Sequence, residues 1–183
     1  IVAMTSASAR SGTERVAEVA RKRQAEVIIN IQGDEPLVQP DMVDQVAQFL
    51  EAHAAVPMAS LMVPLQREQD AANPNVVKVV VDRDGFAMYF SRATIPFARW
   101  GTRDTGHGTG LNVSPVSRPA SRYYKHIGLY GYQRHFLLQF PHLEPTPLEQ
   151  FEQLEQLRAL EHGYKIKLLE TVHGTIGVDT PED

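Results

Sequence analysis

The chain has 183 residues, of which 43% are hydrophobic, with 18 basic and 22 acidic side chains and no cysteine. This composition supports one compact domain with a sizeable core, and it excludes disulfides and thiolate metal sites. The sequence has no basic stripe and no apolar run of roughly 20 residues, so we expect neither nucleic acid nor a membrane as partner. Because cysteine is absent, a reducing cytoplasm is the expected location.

Both ends of the chain suggest a piece of a longer protein. Residues 1–4 already have the apolar pattern of a strand, and Thr180-Pro181-Glu182 has the capping threonine, proline and acid that begin a helix. We therefore expect a single domain over residues 1–183 that lacks its N-terminal segment and its final helix.

The first half of the chain predicts alternating helices and strands. Ser11 and Glu14 form a capping-box pattern ahead of a helix, and a strand at 27–31 is apolar enough to be buried on both faces. A second helix is predicted from Pro40 through Leu50, and a short buried strand at 58–63. This order is typical of a three-layer α/β fold with a mostly parallel sheet.

The second half predicts an inserted antiparallel ribbon and a return to the sheet. Residues 76–81 and 86–90 flank a turn at 82–85, as in a hairpin, and residues 98–122 have the composition of a mobile surface loop. A strand at 126–132 follows, in which Gly128 and Gly131 permit close backbone approach. The last elements are a helix capped at Thr146, with an apolar side of Phe151, Leu154, Leu157 and Leu160, and a strand at 165–169.

Acidic residues follow two of the predicted strands. Asp34, with Glu35 beside it, comes after Gly33 at a carboxyl edge, where open α/β sheets bind ligands. Asp179 lies between a strand end and a helix start. Mg²⁺ prefers one or two carboxylates together with substrate phosphates, so these acids suit such an ion. A solvated acidic turn at Asp34, and helix-end electrostatics of about 0.3–1 kcal/mol at Asp179, are the alternatives that the residues alone leave open.

Two further groups could bind a ligand. Ser11, Thr13 and Arg15 lie at a helix N-terminus that suits an anion or the polar edge of a nucleotide, although capping alone explains Ser11. His126 and Tyr130 are four residues apart on a strand and therefore share a face, where a plain core pair is the commoner meaning.

Three more polar residues have similar alternatives. Glu155 and Gln156 flank an apolar helical stripe, for which a solvated face is the default interpretation. Arg92 closes the hairpin, where its guanidinium could hold a carboxylate or pair with an acid of the same chain.

Seven segments, spread over nearly the whole chain outside the loop, resemble the 3-deoxy-manno-octulosonate (Kdo) cytidylyltransferases, the CMP-Kdo synthetases. In chain order they are SGTER (11–15), NIQGDEP (30–36), NPNVVK (73–78), YFSRATIP (89–96), HIGLYGY (126–132), LEQLR (154–158) and GVDTPED (177–183). The resemblance implies a nucleotidyltransferase fold, a homodimer, dependence on Mg²⁺, and transfer of a cytidylyl group from CTP to Kdo with release of pyrophosphate, for lipopolysaccharide biosynthesis.

The resemblance also implies roles for individual residues. Asp34 and Asp179 match the metal-binding aspartates around which the catalytic step is organised. The nucleotide side matches Ser11, Thr13 and Arg15. The substrate side matches Gln32, His126, Tyr130, Glu155 and Gln156, to which we add Arg92 as a candidate substrate-binding residue.

Two departures and two alternatives accompany this assignment. Ser8 and Ala9 stand where many members carry Asp-His, and the Arg- and Lys-bearing loop that grips the triphosphate lies outside the sequence, so we expect the chain as given to be inactive. A related sialic acid cytidylyltransferase is the close alternative, against which the QGDEP run speaks. A non-catalytic dimerisation or binding module is the other alternative.

The hairpin motivates the expected dimer. Its apolar residues exceed what a small insertion could bury alone, and isolated ribbons are marginal in water, so we expect residues 76–90 and 126–132 near the two-fold contact. The alternative is that the ribbon folds back onto its own domain.

Overall fold

The structure, a computed structural model, describes residues 2–65, 68–97 and 123–174. Within these ranges the helices are α1 (Gly12–Arg21), α2 (Pro40–Ala52), α3 (Arg134–Gln139), α4 (Pro147–Glu152) and α5 (Gln156–Glu161). The strands are β1 (Val27–Ile31), β2 (Met58–Pro64), β3 (Lys78–Val81), β4 (Ala87–Ser91), β5 (Tyr124–Gln133) and β6 (Ile166–Glu170). The predicted loop at 98–122, Asp179 and the expected C-terminal helix start lie outside the described residues.

The sheet is built around β5. β2 pairs antiparallel along one edge of β5, while β1 and β3 pair antiparallel with its two ends on the other edge. β6 is parallel to β2, and β4 is antiparallel to β3. β1, β2 and β6 therefore share one direction, with β5 reversed between β1 and β2. The α/β class is confirmed, and the sheet is mixed rather than mostly parallel because the long strand at its centre runs against its neighbours.

Helices cover the sheet on both faces. On one face, α1, α3 and α5 bury Ala17, Phe136 and Leu157 in a common core with Tyr132 of the sheet. On the other face, α2 packs its buried apolar side chains against the sheet, and these are Met42, Val46 and Leu50. This is the predicted three-layer arrangement.

Close contact between α2 and β5 depends on a glycine. A Cβ at Gly131 would lie 2.4 Å from Cγ1 of Val46 and 2.6 Å from Cδ1 of Leu50, so no larger residue fits without moving these side chains or the helix. The predicted close approach at this strand is therefore confirmed. β1, by contrast, is only half-buried, and Ile31 at its end is 48% exposed, because among the described strands it pairs with β5 alone.

The predicted ribbon forms as the β3–β4 hairpin. The carboxylate of Asp82 accepts the backbone N–H groups of Asp84 (2.9 Å) and Phe86 (2.8 Å), which closes the turn. The hairpin joins the main sheet through β3 and β5, and Val79 and Phe90 are fully buried in the core of the domain. The ribbon therefore folds back onto its own domain, and its apolar content no longer argues for a dimer.

The helix predicted after Thr146 is interrupted. Gln153 adopts a left-handed conformation, with φ of 54°, between α4 and α5. Leu154 and Leu157 are buried as expected, but Phe151 is 87% exposed because the turn rotates α4 away from the core. The interruption places Glu155 at the start of α5, immediately before Gln156. No helix in the described ranges is long and apolar enough to cross a membrane.

Candidate active site

A cavity of about 860 Å³ opens on the face of the sheet that carries α5. Its walls are the segment after β1, the middle of β5, the loop before β3, and the corner between α4 and α5. The predicted site residues on its lining are Gln32, Asp34, Arg92, His126, Tyr130, Glu155 and Gln156. The structure therefore brings together residues that the sequence places on four separate segments.

The Gly-Asp-Glu-Pro loop after β1 is held against β5 by Glu35. The backbone N–H of Gly128 donates to Oε1 of Glu35 at 3.0 Å, and a Cβ at Gly128 would lie only 3.2 Å from that oxygen. Glu35 is 9% exposed, whereas Asp34 is exposed at the edge of the cavity. No hydrogen bond or salt bridge ties the Asp34 carboxylate to the residues that the structure describes, so it is available to a ligand.

His126 and Tyr130 form both a packed pair and a wall of the cavity. Their ring centroids are 5.3 Å apart, and the His126 ring meets Phe90 edge-on at 5.0 Å. Nε2 of His126 lies 2.9 Å from Oγ of Ser60, whose single proton points to a backbone carbonyl such as that of Leu129, at 2.8 Å. Nε2 is therefore the protonated nitrogen of a neutral ring.

Burial explains the charge state of this pair. Removal from water, with a smaller effect from the Lys125 ammonium, lowers the pKa of His126 to about 3. Burial likewise raises the pKa of Tyr130 well above its ordinary value, assisted by Tyr132 and the Glu155 carboxylate. At neutral pH the wall therefore presents an uncharged imidazole and a protonated phenol.

The start of α5 places two polar side chains, Glu155 and Gln156, on the lining of the same cavity. Tyr130 donates its hydroxyl to Oε1 of Gln156 at 3.3 Å, and Thr13 donates its hydroxyl to Oε2 of Glu155 at 2.5 Å. Oε1 of Glu155 and Nε2 of Gln156 are buried and make no hydrogen bond with the described residues, although Nη2 of Arg158 lies 3.9 Å from that Oε1. Buried polar atoms without hydrogen bonds are rare in proteins. The two cavity-lining residues therefore keep one acceptor and one donor that the described residues leave without a hydrogen bond.

Arg92 lines the cavity but donates mainly to backbone carbonyls. Its Nε bonds the carbonyl of Glu152 at 2.9 Å, and its Nη1 bonds the carbonyl of Pro74 at 3.1 Å. Its backbone N–H donates to the Glu152 carboxylate at 2.9 Å. The structure shows neither role considered for the guanidinium, because the hydrogen bonds that it makes with the described residues go to backbone carbonyls, and substrate binding by Arg92 stays a prediction.

The predicted nucleotide-binding group does not line this cavity. Ser11 caps α1, because its hydroxyl oxygen accepts the Glu14 N–H at 3.2 Å. The Glu14 carboxylate accepts the backbone N–H of Arg10 instead of that of Ser11, so the expected capping box is shifted by one residue. Thr13 is 2% exposed and is engaged with Glu155 as described above. The guanidinium of Arg15 donates to the segment before α1, at Thr5 and Ser6. Their nucleotide contacts stay a prediction.

The metal-ligand prediction has one described member. Among the described residues no three histidine, aspartate or glutamate side chains cluster as a metal site. Asp34 lies on the cavity, and Asp179, its predicted partner, lies outside the described ranges.

The sequence analysis assigned no role to Lys78 and Glu152, whose hydrogen bonds join elements around the cavity. Lys78 is completely buried, and its ammonium donates to the carbonyls of Asn73, Val76 and Arg92 at 2.8, 2.5 and 2.5 Å. Its signal was a lysine in the middle of a run of valines, a position that requires local partners for the charge. Glu152, in α4, had no comparable signal, because an acid on a short helix ordinarily faces solvent.

The fold and the cavity define the class of protein. The family model described as cytidylyltransferase matches residues 1–166, so the chain belongs to the cytidylyltransferase family.

Two curated relatives of the chain carry the same name. The chain is 47% identical over 182 residues to the 3-deoxy-manno-octulosonate cytidylyltransferase of Syntrophotalea carbinolica, and 46% identical over 185 residues to that of Geobacter sulfurreducens. Each alignment covers 100% of this chain and 70% of the relative. A solved CMP:2-keto-3-deoxy-manno-octonic acid synthetase complexed with CTP matches with a TM-score of 0.80 at 38% identity, over 96% of this chain and 65% of that one. The predicted nucleotidyltransferase fold is thereby confirmed.

Proposed function

We propose that the protein containing this chain transfers the cytidylyl group of CTP to Kdo, giving CMP-Kdo and pyrophosphate, in lipopolysaccharide biosynthesis. The observation that carries the proposal is the cavity wall at the start of α5, where Oε1 of Glu155 and Nε2 of Gln156 are buried without a hydrogen bond from the described residues. The relatives named for this activity, at 46–47% identity over the whole chain, support it.

The wall suits a sugar because it offers hydrogen-bonding groups of both kinds without a net positive charge. The Glu155 carboxylate accepts hydrogen bonds from hydroxyl groups, and the Gln156 amide donates to their oxygens. The neutral His126 ring and the Tyr130 phenol complete this side. A site built on such groups discriminates strongly against substrates that lack the matching hydroxyls, because its buried polar atoms are then left unpaired.

The proposed reaction is a direct displacement at phosphorus. The anomeric hydroxyl of the sugar forms a bond to the α-phosphorus of CTP, the bond from that phosphorus to pyrophosphate breaks, and the hydroxyl proton leaves to solvent. Phosphoryl-group chemistry of this kind depends on alignment and charge neutralisation more than on a covalent nucleophile. The cavity residues accordingly bind and orient the sugar.

Mg²⁺ is the proposed cofactor. Asp34 fits it, because its carboxylate is exposed on the cavity and bonded to none of the described residues, and Mg²⁺ takes one or two carboxylates together with substrate phosphates. When bound, the ion would neutralise phosphate charge and lower the cost of deprotonating the sugar hydroxyl. Asp179 is the proposed second ligand.

The test is an assay of the full-length protein for pyrophosphate release from CTP, with Kdo or sialic acid as acceptor and with or without Mg²⁺. We expect release with Kdo and Mg²⁺ only, with CMP-Kdo identified by mass spectrometry. Release with sialic acid instead would favour the related transferase. No release with either acceptor, from a folded protein, would favour the non-catalytic module.

We also propose that the enzyme works in the cytoplasm as a homodimer. The cysteine-free composition supports the location, and the family resemblance supports the homodimer.

A further inference from the structure

Glu152 lies outside the cavity lining, yet it bonds the elements that form one rim of the cavity. We infer that Glu152 is a positioning residue for the sugar side of the site, acting through the corner between α4 and α5 that carries Glu155 and Gln156. The inference rests on the proposed function, since the sugar is the ligand whose binding it describes.

Both carboxylate oxygens of Glu152 are hydrogen-bonded to β4 or to the residue that follows it. Its Oε1 accepts the Ser91 hydroxyl at 2.6 Å and the Tyr89 hydroxyl at 3.3 Å, and its Oε2 accepts the Arg92 N–H at 2.9 Å. Burial opposes the charge, but these hydrogen bonds outweigh it and lower the pKa of Glu152. The group is therefore ionised at neutral pH and holds the last turn of α4 against the end of β4.

Arg92 in turn donates hydrogen bonds to the backbone at the end of α4. Its Nε donates to the carbonyl of Glu152 at 2.9 Å and its Nη2 approaches the carbonyl of Gln153 at 3.5 Å. The carbonyl of Arg92 in turn accepts from the buried Lys78 ammonium. The end of α4 is thus bonded to β4 through both its side chain and its backbone.

Glu152 comes immediately before the turn that orients Glu155 and Gln156, the proposed sugar-binding residues. Gln153, next in the chain, is the non-glycine residue with positive φ in the described structure, a conformation that must be held by its surroundings. Two residues further on, Glu155 is the N-cap of α5 and Gln156 is its first residue. If Glu152 releases α4, the turn is free to relax, and the side chains of Glu155 and Gln156 move away from the positions that the cavity requires. A displacement of about 1 Å at such a site can change rates by about a hundredfold.

The experiment compares Glu152→Ala and Glu152→Gln in the full-length protein, measuring KM separately for Kdo and CTP. For Glu152→Ala we expect the KM for Kdo to rise about tenfold while that for CTP stays within about twofold, since only one side of the site is displaced. Glu152→Gln should recover most of the loss, because its amide can accept from Arg92 and donate to Ser91. Gln150→Ala, an exposed change on the same helix, should leave both constants unchanged.

A double-mutant cycle separates positioning from general loosening. If Glu152 acts through the α4–α5 corner, adding Glu152→Ala to Gln156→Ala should raise the KM for Kdo by much less than it does in the wild type. If Glu152→Ala does not fold, as shown by circular dichroism, Ser91→Ala takes its place in the cycle, since it removes the shortest bond to the same carboxylate.

The outcomes distinguish this inference from the proposed function. Wild-type protein that makes no CMP-Kdo overturns the proposed function, and the inference with it. Active wild-type protein whose variants raise both KM values alike, or whose double mutant is fully additive, overturns the inference alone.

Discussion

His126 and Asp34 occupy opposite electrostatic environments within one cavity. His126 is 5% exposed and is kept neutral by burial, whereas Asp34 is exposed and bonded to none of the described residues. The first arrangement favours a fixed, uncharged hydrogen-bonding surface, and the second leaves a charge available for an ion or for a substrate-bound cation. Each environment therefore leads to its own test.

Replacing Asp34 with asparagine should cut turnover by about a hundredfold or more, because in the proposed reaction its charge would act where phosphate charge is redistributed. The fold should be unchanged, since Glu35 and not Asp34 docks the loop on β5. The measurement is kcat at increasing Mg²⁺, together with a circular dichroism spectrum. Asp44→Asn, an exposed acid on α2, is the control. Native-like protein with unchanged Mg²⁺-dependent turnover would remove Asp34 from the metal site.

His126 makes stability depend on pH. Its pKa is about 3 in the folded chain against 6.5 for an ordinary histidine, so between these values the unfolded state binds a proton that the folded state does not. Stability contributed by the neutral ring is present above pH 6.5 and is lost as the pH falls, at up to about 1.4 kcal/mol per pH unit.

Urea denaturation of wild type and His126→Gln at pH 7.5 and 5.5 measures this effect. The variant lacks the titrating group, so the difference in unfolding free energy between the two proteins should shrink by about 1 kcal/mol at the lower pH. His142→Gln, at an exposed histidine, is the control. Parallel pH curves for wild type and His126→Gln would show that the ring is not held neutral.

At the scale of elements, the short helices α4 and α5 are joined by a buried ion pair. Arg158 is 6% exposed, its Nε and Nη2 bond the two carboxylate oxygens of Glu149 at 2.8 and 2.5 Å, and its guanidinium lies 5.0 Å from the Phe140 ring centroid. The hydrogen bond to Glu149 raises the pKa of Arg158 further. Helices of six residues are too short to be stable alone, so this contact is a substantial part of what fixes them.

Replacing Arg158 with methionine should destabilise the protein by about 3 kcal/mol, because it leaves the Glu149 carboxylate largely buried without its partner. Arg10→Met is the matched control, since Arg10 pairs with Glu14 at 2.7 Å but its side chain is 64% exposed. That surface pair should be worth about 0.2–1 kcal/mol. Chemical denaturation gives both values, and similar small losses in the two variants would contradict the assigned role of the buried pair.

The elements that sequence reasoning predicted are those whose signals are local. α2 begins at Pro40 and buries every fourth residue from Met42 to Leu50, and β2 is apolar except for Ser60, so local sequence patterns are enough to find them. The break at Gln153 and the reversed direction of β5 were not predictable in this way. The left-handed Gln153 follows Glu152, whose backbone carbonyl accepts a hydrogen bond from Arg92, and strand direction likewise depends on pairing between residues far apart in sequence.

The candidate site, like the fold, was only partly predictable from the sequence. The motif resemblance named the residues that meet on the cavity, such as Gln32 and Gln156, but spacing could not show that they meet. It assigned Thr13 to a nucleotide, and the structure shows its hydroxyl bonded to Glu155, a contact between residues 142 positions apart. A contact of this kind cannot be predicted from a single sequence, because neither residue is unusual in its local sequence.

For the whole molecule, the homodimer stays a prediction whose motivation the structure has changed. The hairpin buries Val79 and Phe90 in its own domain, but Met88 on the same ribbon is 66% exposed. In a two-fold dimer each interface residue occurs once in each subunit, so a charge introduced at one position is present twice in the interface.

We expect light scattering of the full-length protein at low micromolar concentration to give twice the chain mass, and we expect Met88→Glu to shift the measured mass towards that of the monomer. Val172→Glu, at a still more exposed apolar position after β6, should remain dimeric. An active wild-type monomer would show that the working enzyme does not need a partner, whereas a dimer unaffected by Met88→Glu would place the contact away from the ribbon.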